Sequence, residues 1–284
     1  MKIFRKGAKC RIKNRIEEID NLKIFLHIGT QRTGTTFLQQ EIFPIMEEIN
    51  IVNLGFKELN SLIKNTENYN DDQILKKVYS RFKQDKINLI TNENIWWHPW
   101  TKGDEKFNKL EKIKQLFPKA KIIFGTREKT DMLLSLYTRD VMDGSIRSFQ
   151  KFQEEIVNIN DLNYQPYIDH LIDVFDKKNV YIYKFEDMKK DIHSHVQKIC
   201  DFIGVNVPDF TNKIINAGYS LWQLKVSLVL NSFFKTWLNS KGVIPIPYQL
   251  LPHRIIFLSS HFPKKFRGRE ISIGDLTRII NKIH

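Results

Sequence analysis

Apolar residues in this chain fall into two patterns, short dense runs and longer stretches in which they recur every three or four positions. The dense runs lie at 24–28, 51–54, 87–91, 121–126 and 180–183, and are rich in Ile, Leu, Val, Phe and Tyr. Runs of that length and composition predict strands buried on both faces. Helical spacing between them predicts helices at 35–41, ending near Pro44, and at 73–82, 106–117, 130–142, 148–157, 164–176 and 192–203. The polar stretch 58–72 reads as a loop. Ahead of the first strand, Ile12, Ile16 and Ile19 sit at helical spacing among charges and predict a short basic helix.

Alternation of strand and helix predicts an α/β fold, a mostly parallel central sheet covered on both faces with its working residues at the carboxyl ends of the strands. Beyond Pro208 the strand rhythm stops: 221–238 is a long apolar helical stretch and 243–252 is proline-rich. These residues predict a helical or irregular cap in which Phe233, Phe234 and Trp237 pack in the core, lipid contact being the alternative. The expected organisation is a basic segment at 1–22, a core at 23–206 and a cap at 207–284 belonging to the same single domain.

The first strand carries the clearest chemistry. Its apolar run breaks at Gly29, passes through Thr30, Gln31, Arg32 and Thr33, and enters a helix at Gly34, Thr35 and Thr36. A strand, a glycine-bounded loop and a helix N-terminus form a ready anion site, because backbone N–H groups and the positive end of the helix converge there. The spacing Gly29-x4-Gly34-Thr35-Thr36 approaches the loop of nucleotide triphosphatases, which needs Lys then Ser or Thr after the second glycine. Here Thr35 stands in the lysine position and the cation sits inside the loop as Arg32.

A second anion site is suggested by Arg127 at the tip of the strand 121–126 and Ser135 two turns into the next helix. Taken alone, a strand-end arginine is as often an ion-pair partner, and a helical serine is ordinarily a surface residue.

Together these residues resemble a known family. Ile28 to Thr36, with Phe124-Gly125-Thr126-Arg127 and Ser135, is similar to the sulfotransferases that use 3′-phosphoadenosine 5′-phosphosulfate (PAPS), and Tyr183 to Asp191 with Ile199 to Gly204 resembles their late strand-turn-helix segment. The resemblance covers residues 23–206. It implies a P-loop-like three-layer fold in which Thr30, Gln31, Arg32, Thr33, Gly34, Thr35 and Thr36 hold the 5′-phosphosulfate and Arg127 and Ser135 the 3′-phosphate. PAPS carries phosphate at both positions, so it requires two anion sites where ATP needs one.

The resemblance further implies sulfuryl transfer to a hydroxyl, less readily an amine, with PAPS as donor and no metal. Arg32 replaces the lysine most members carry, and its fixed charge suits electrostatic stabilisation and not proton transfer. Glu93, just past the strand 87–91 where cytosolic members carry histidine, is the candidate base; Glu58 and His98 are the alternatives. The first loop is closer to glycan-modifying and bacterial members, which implies a carbohydrate or glycolipid acceptor. Trp96, Trp97 and Trp100 either stack on its sugars or anchor the cap. Asn216, Ser220, Lys264, Lys265, Arg267 and Arg269 are further candidates to close over the donor.

Composition adjusts this picture at the margins. The chain has 284 residues and a net charge of +13, of which residues 1–23 and 241–284 carry +11. Such ends suit an anionic donor or glycan and predict peripheral membrane contact. The nearly neutral middle, without a recognised binding module, places a nucleic-acid binder behind both the sulfotransferase and the runner-up, a small-molecule kinase with a degenerate phosphate loop. Cys10 and Cys200 lie far apart and near no metal-ligand pattern, residues 1–22 are too charged for a signal peptide, and no apolar run approaches the ~18 residues of a spanning helix. The expected location is the cytoplasm, and the Lys, Asn and Ile bias predicts a bacterial source.

Overall fold

In the computed structural model residues 21–65, 77–96, 105–157, 159–211, 219–245, 271–272 and 275 are described. The elements run β1 (Lys23–His27), α1 (Thr35–Phe37, continued by wider turns over Leu38–Ile42), β2 (Ile49–Ile51), α2 (Phe56–Asn65), β3 (Ile87–Thr91), α3 (Glu105–Leu116) and β4 (Lys121–Thr126). There follow α4 (Lys129–Met142), α5 (Phe149–Glu155), α6 (Gln165–Phe175), β5 (Val180–Lys184), α7 (Phe185–Lys190), α8 (Ile192–Ile203), α9 (Leu221–Phe233), β6 (Phe234–Lys235) and β7 (Ile244–Pro245). The chain divides into two compact units, one of residues 1–127 and 164–213, the other of 128–163 and 214–284.

The first unit holds a five-stranded sheet of order β2-β3-β1-β4-β5, every pairing parallel. Parallel strands are buried on both faces, which is why the runs are so largely apolar: Leu26, Leu89, Ile90, Ile122, Ile123 and Phe124 are fully buried. β1 lies between β3 and β4, with Phe25 beside Leu89 on one side and Lys121 on the other. The strand order therefore reverses around β1, the position at which open α/β sheets open a crevice for ligands. α3 and α6 pack together, with His170 3.2 Å from Glu111 and the Lys114 ammonium over the Phe175 ring.

Two expectations fail in this unit. The second strand is Ile49–Ile51 and not 51–54, because its register with Ile87–Leu89 ends at Ile51; Val52 adds one more bond to the Leu89 carbonyl at 2.9 Å before the chain turns away. The stretch from 58 is not a loop as far as Asn65, since it forms α2. Leu59, Leu62 and Ile63 recur at helical spacing and are buried, and this outweighs the polar residues around them.

In the second unit α9 ends at Phe233, short of the predicted 238, because Phe234–Lys235 enters a two-residue parallel ladder with Ile244–Pro245. Phe233 and Trp237 are 56% and 66% exposed, so they are not core residues as expected; Phe234 is partly buried. Among the described residues no helix is long and apolar enough to cross a membrane. The predicted helix near 12–19 and the proline-rich stretch from 246 lie outside the described residues.

Candidate active site

The loop after β1 begins as an extension of the sheet. Ile28 N–H donates to the Ile123 carbonyl at 2.9 Å and Thr30 N–H reaches that of Gly125 at 3.4 Å, so β4 fixes where the loop starts. It closes through two left-handed residues, Arg32 (φ 67°) and Gly34 (φ 83°), after which Phe37 N–H returns to the Gly34 carbonyl at 3.0 Å and α1 begins. A left-handed turn feeding a helix gathers N–H groups into an anion-binding concavity. The Thr33 hydroxyl braces the loop by donating to the Thr30 carbonyl at 2.6 Å.

Both glycines are required by their neighbours. A Cβ on Gly29 would stand 2.8 Å from Thr35 Cγ2 and 3.0 Å from both His27 Nε2 and the Tyr183 hydroxyl, and one on Gly34 would overlap the Met188 sulfur. Met188 and Phe185 come from α7, so the segment that resembled the family's late strand-turn-helix packs directly under the loop.

Beneath the loop runs a chain of hydrogen bonds. Gln39 Nε2 donates to Thr91 Oγ1 at 2.9 Å, Thr91 Oγ1 is 2.9 Å from His27 Nδ1, His27 Nε2 is 3.1 Å from the Tyr183 hydroxyl, and that hydroxyl is 3.4 Å from Thr33 Oγ1. One proton arrangement satisfies every member: Thr91 donates to Nδ1, a neutral His27 donates through Nε2, and Tyr183 donates to Thr33, whose own proton goes to Thr30. Burial, with His195 adding, holds His27 down to about 3, which keeps it neutral. Burial pushes the Tyr183 phenol far above its usual range, so it remains a donor.

Glu93 begins a short 3₁₀ turn directly after β3 and accepts from Thr35 Oγ1 at 2.8 Å. Its carboxylate therefore lies beside the loop. Arg127, at the end of β4, donates from Nη1 to the Arg32 carbonyl at 3.0 Å and lies over the Phe185 ring at 4.8 Å. It thus pins the left-handed turn that carries Arg32. Near it, burial pushes the Tyr164 hydroxyl up to about 12, against the pull of the adjacent Thr30 hydroxyl and Arg127. Thr30 Oγ1 and the Tyr164 hydroxyl are thus buried beside one another and next to Arg127.

Of the residues singled out in the sequence, Thr30 to Thr36, Glu93 and Arg127 come together at the carboxyl ends of β1, β3 and β4. Ser135 lies buried on α4 in the second unit. Glu58 is elsewhere, in the first turn of α2, where Arg81 at 2.8 Å pulls its carboxyl down to about 2 and Lys77 lies at 3.5 Å. A carboxylate held so firmly in its charged form is a poor base. Trp96 is core, 2% exposed and edge-on to Tyr167 with centroids 4.4 Å apart. Ser220 caps α9 in a mutual arrangement with Gln223. His98, Trp97, Trp100, Asn216, Lys264, Lys265, Arg267 and Arg269 lie outside the described residues. The supporting residues His27, Thr91, Gln39 and Tyr164 were not anticipated; the one available signal was His27 itself, a polar group ending an otherwise apolar strand.

Fold and site together define a phosphate-loop α/β protein that lacks the triphosphatase lysine and holds a strand-end arginine against its loop. The family model described as "Sulfotransferase domain" matches residues 23–232, and the chain belongs to that family. Sulfotransferase 2A6 of Mus musculus is 30% identical over 112 residues, covering 37% of this chain and 38% of the relative. Sulfotransferase 2A2 of Rattus norvegicus is 28% identical over 160 residues, covering 48% and 55%. A 3-alpha-hydroxysteroid sulfotransferase of Cavia porcellus is 28% identical over 131 residues, covering 42% and 45%. The chain thus spans about half the length of these curated relatives. A crystal structure of a sulfotransferase from Alicyclobacillus acidocaldarius matches with a TM-score of 0.53 and 18% identity, covering 74% of this chain and 92% of that one, and shares the fold.

Proposed function

We propose that the protein is a sulfotransferase that moves the sulfuryl group of PAPS to an acceptor hydroxyl and releases 3′-phosphoadenosine 5′-phosphate (PAP). The observation that carries this reading is the bond from Arg127 to the Arg32 carbonyl. It joins the residue assigned to the 3′-phosphate to the loop assigned to the 5′-phosphosulfate, the pairing a doubly phosphorylated donor needs. The family resemblance also assigns Ser135 to the 3′-phosphate.

In the transfer, the acceptor oxygen attacks sulfur in line, its proton passes to Glu93, and the bond from sulfur to the bridging oxygen breaks with its electron pair left on the departing phosphate. Charge develops on that bridging oxygen, where Arg32, Thr35, Thr36 and the loop N–H groups stabilise it. The Thr35 hydroxyl donates to Glu93 at 2.8 Å. A bound phosphosulfate competes for that hydroxyl proton, which turns Thr35 toward the donor and leaves a Glu93 oxygen for the acceptor.

For the acceptor, a hydroxyl on a carbohydrate or glycolipid follows from the character of the first loop and the basic chain ends, although the burial of Trp96 removes one of the three sugar-stacking candidates. A steroid-type alcohol is the second reading, supported by the relative named for that activity. Labelled donor offered to a panel of glycans, glycolipids, sterols and amines decides. Sulfate on a glycan or glycolipid hydroxyl is the expected result; preference for sterols moves the acceptor assignment, and phosphoryl transfer from ATP instead of sulfuryl transfer moves the chain to the kinases.

A further inference from the structure

Helix α9 carries its faces the reverse of the usual way. A surface helix ordinarily buries its apolar stripe and exposes polar residues. Here Gln223, Ser227 and Asn231, one turn apart, are buried with Leu224, whereas Val226, Val229 and Phe233, also about one turn apart, are 39%, 58% and 56% exposed. The apolar surface continues past the helix through Trp237 at 66% and Val243 at 84%.

The inner face is polar for a structural reason. Asn231 Nδ2 donates to the carbonyls of Val141 at 2.7 Å and Ser145 at 3.0 Å, and Thr236 Oγ1 donates to that of Gly144 at 2.8 Å. These bonds tie the inner face of α9 and the chain after it to the end of α4 and the turn that follows it. Among the described residues no such bonds account for the exposure of Val229, Phe233 and Trp237.

Charge says what the face meets. Residues 219–245 contain no Asp or Glu, and Lys225, Lys235 and Lys241 are exposed among the apolar positions. We propose that this face of the second unit docks on an anionic lipid surface, with α9 lying in the headgroup plane. Aromatic and aliphatic side chains flanked only by lysine are the composition of interfacial helices. At 13 residues α9 is too short to span the hydrocarbon core. A second copy of the chain fits less well, because a two-fold contact of this face with itself sets lysine against lysine with no carboxylate in the segment to pair them. The inference stands independently of the transfer reaction.

Cosedimentation of the full chain with vesicles of phosphatidylcholine alone and of phosphatidylcholine with phosphatidylglycerol in equal parts tests it. Wild type binds the anionic vesicles, less at high salt. The exposed triple variant Val229→Ser/Phe233→Ser/Trp237→Ser loses binding by about tenfold or more while keeping its melting temperature. Lys225→Gln/Lys235→Gln/Lys241→Gln weakens it by about fivefold for each lysine. The proposal is overturned if wild type ignores anionic vesicles, or if the apolar variant binds as well as wild type. Self-association that the apolar variant abolishes, without vesicle binding, would overturn it in favour of a dimer.

Discussion

Glu93 and Thr35 stand 2.8 Å apart across the ends of two neighbouring strands, and that contact separates the proposed base from the donor-binding residues in a measurable way. Glu93→Gln keeps an oxygen to accept from Thr35, so the loop stays as it is while the proton acceptor is lost. Turnover is expected to fall by about 10²–10⁴-fold with the affinity for PAP unchanged in a calorimetric titration; near-normal turnover returns the base role to another residue. Arg32→Ala removes the positive charge proposed to stabilise the departing phosphate, and kcat is expected to drop by about 10²–10³-fold. Tyr183→Phe leaves the His27 Nε2–H buried without its acceptor. Chemical denaturation should register a loss of about 1–3 kcal/mol, and an unchanged midpoint would refute the proton arrangement assigned to this chain of bonds.

At the scale of elements, the loop is held by β1, β4 and the turn from β5 into α7, and their fit sets how it responds to change. A Cβ on Gly125 would stand 2.5 Å from the Tyr183 hydroxyl, and Tyr183 is already tied to His27, so Gly125→Ala is expected to cost about 1–3 kcal/mol. Acid has a defined effect on β1 and α8. Burial lowers His27 to about 3 and His195 to about 4, so the unfolded chain takes up these protons first. Their contribution to stability is complete above about 6.5 and is lost as the pH falls toward those values, by up to about 1.4 kcal/mol per pH unit for each imidazole. A melting temperature that stays level from about pH 7.5 to about pH 5 would contradict this burial.

Legibility in the sequence followed the strength of each local signal. β3 and β4 begin and end where their apolar runs do, and α8 spans the predicted 192–203, because doubly buried strands and strongly amphipathic helices write their period into the chain. The phosphate loop was readable for a related reason: close packing restricts positions 29 and 34 to glycine. α2 was missed because its three buried residues are scattered among polar ones. His27, Thr91 and Tyr164 were missed because their roles come from strands and turns that only the sheet brings together. The reversed faces of α9 escaped notice because a helix rich in Leu, Val and Phe reads as core until the partners of its polar residues are seen.

For the whole molecule, donor binding can be measured in solution, apart from any surface the protein docks on. The proposed function requires two phosphate sites to act on one ligand, and a ligand that binds the folded state raises its melting temperature by mass action. Thermal unfolding with PAP and with ATP and magnesium, each at matched concentration, is the most direct test. At about a hundredfold over its dissociation constant PAP should add about 2.7 kcal/mol, a rise of about 5 °C or more for a chain of this size, while ATP adds little. Equal stabilisation by the two nucleotides, or stabilisation by ATP alone, would contradict the reading of residues 30–36 and Arg127 as a phosphosulfate donor site.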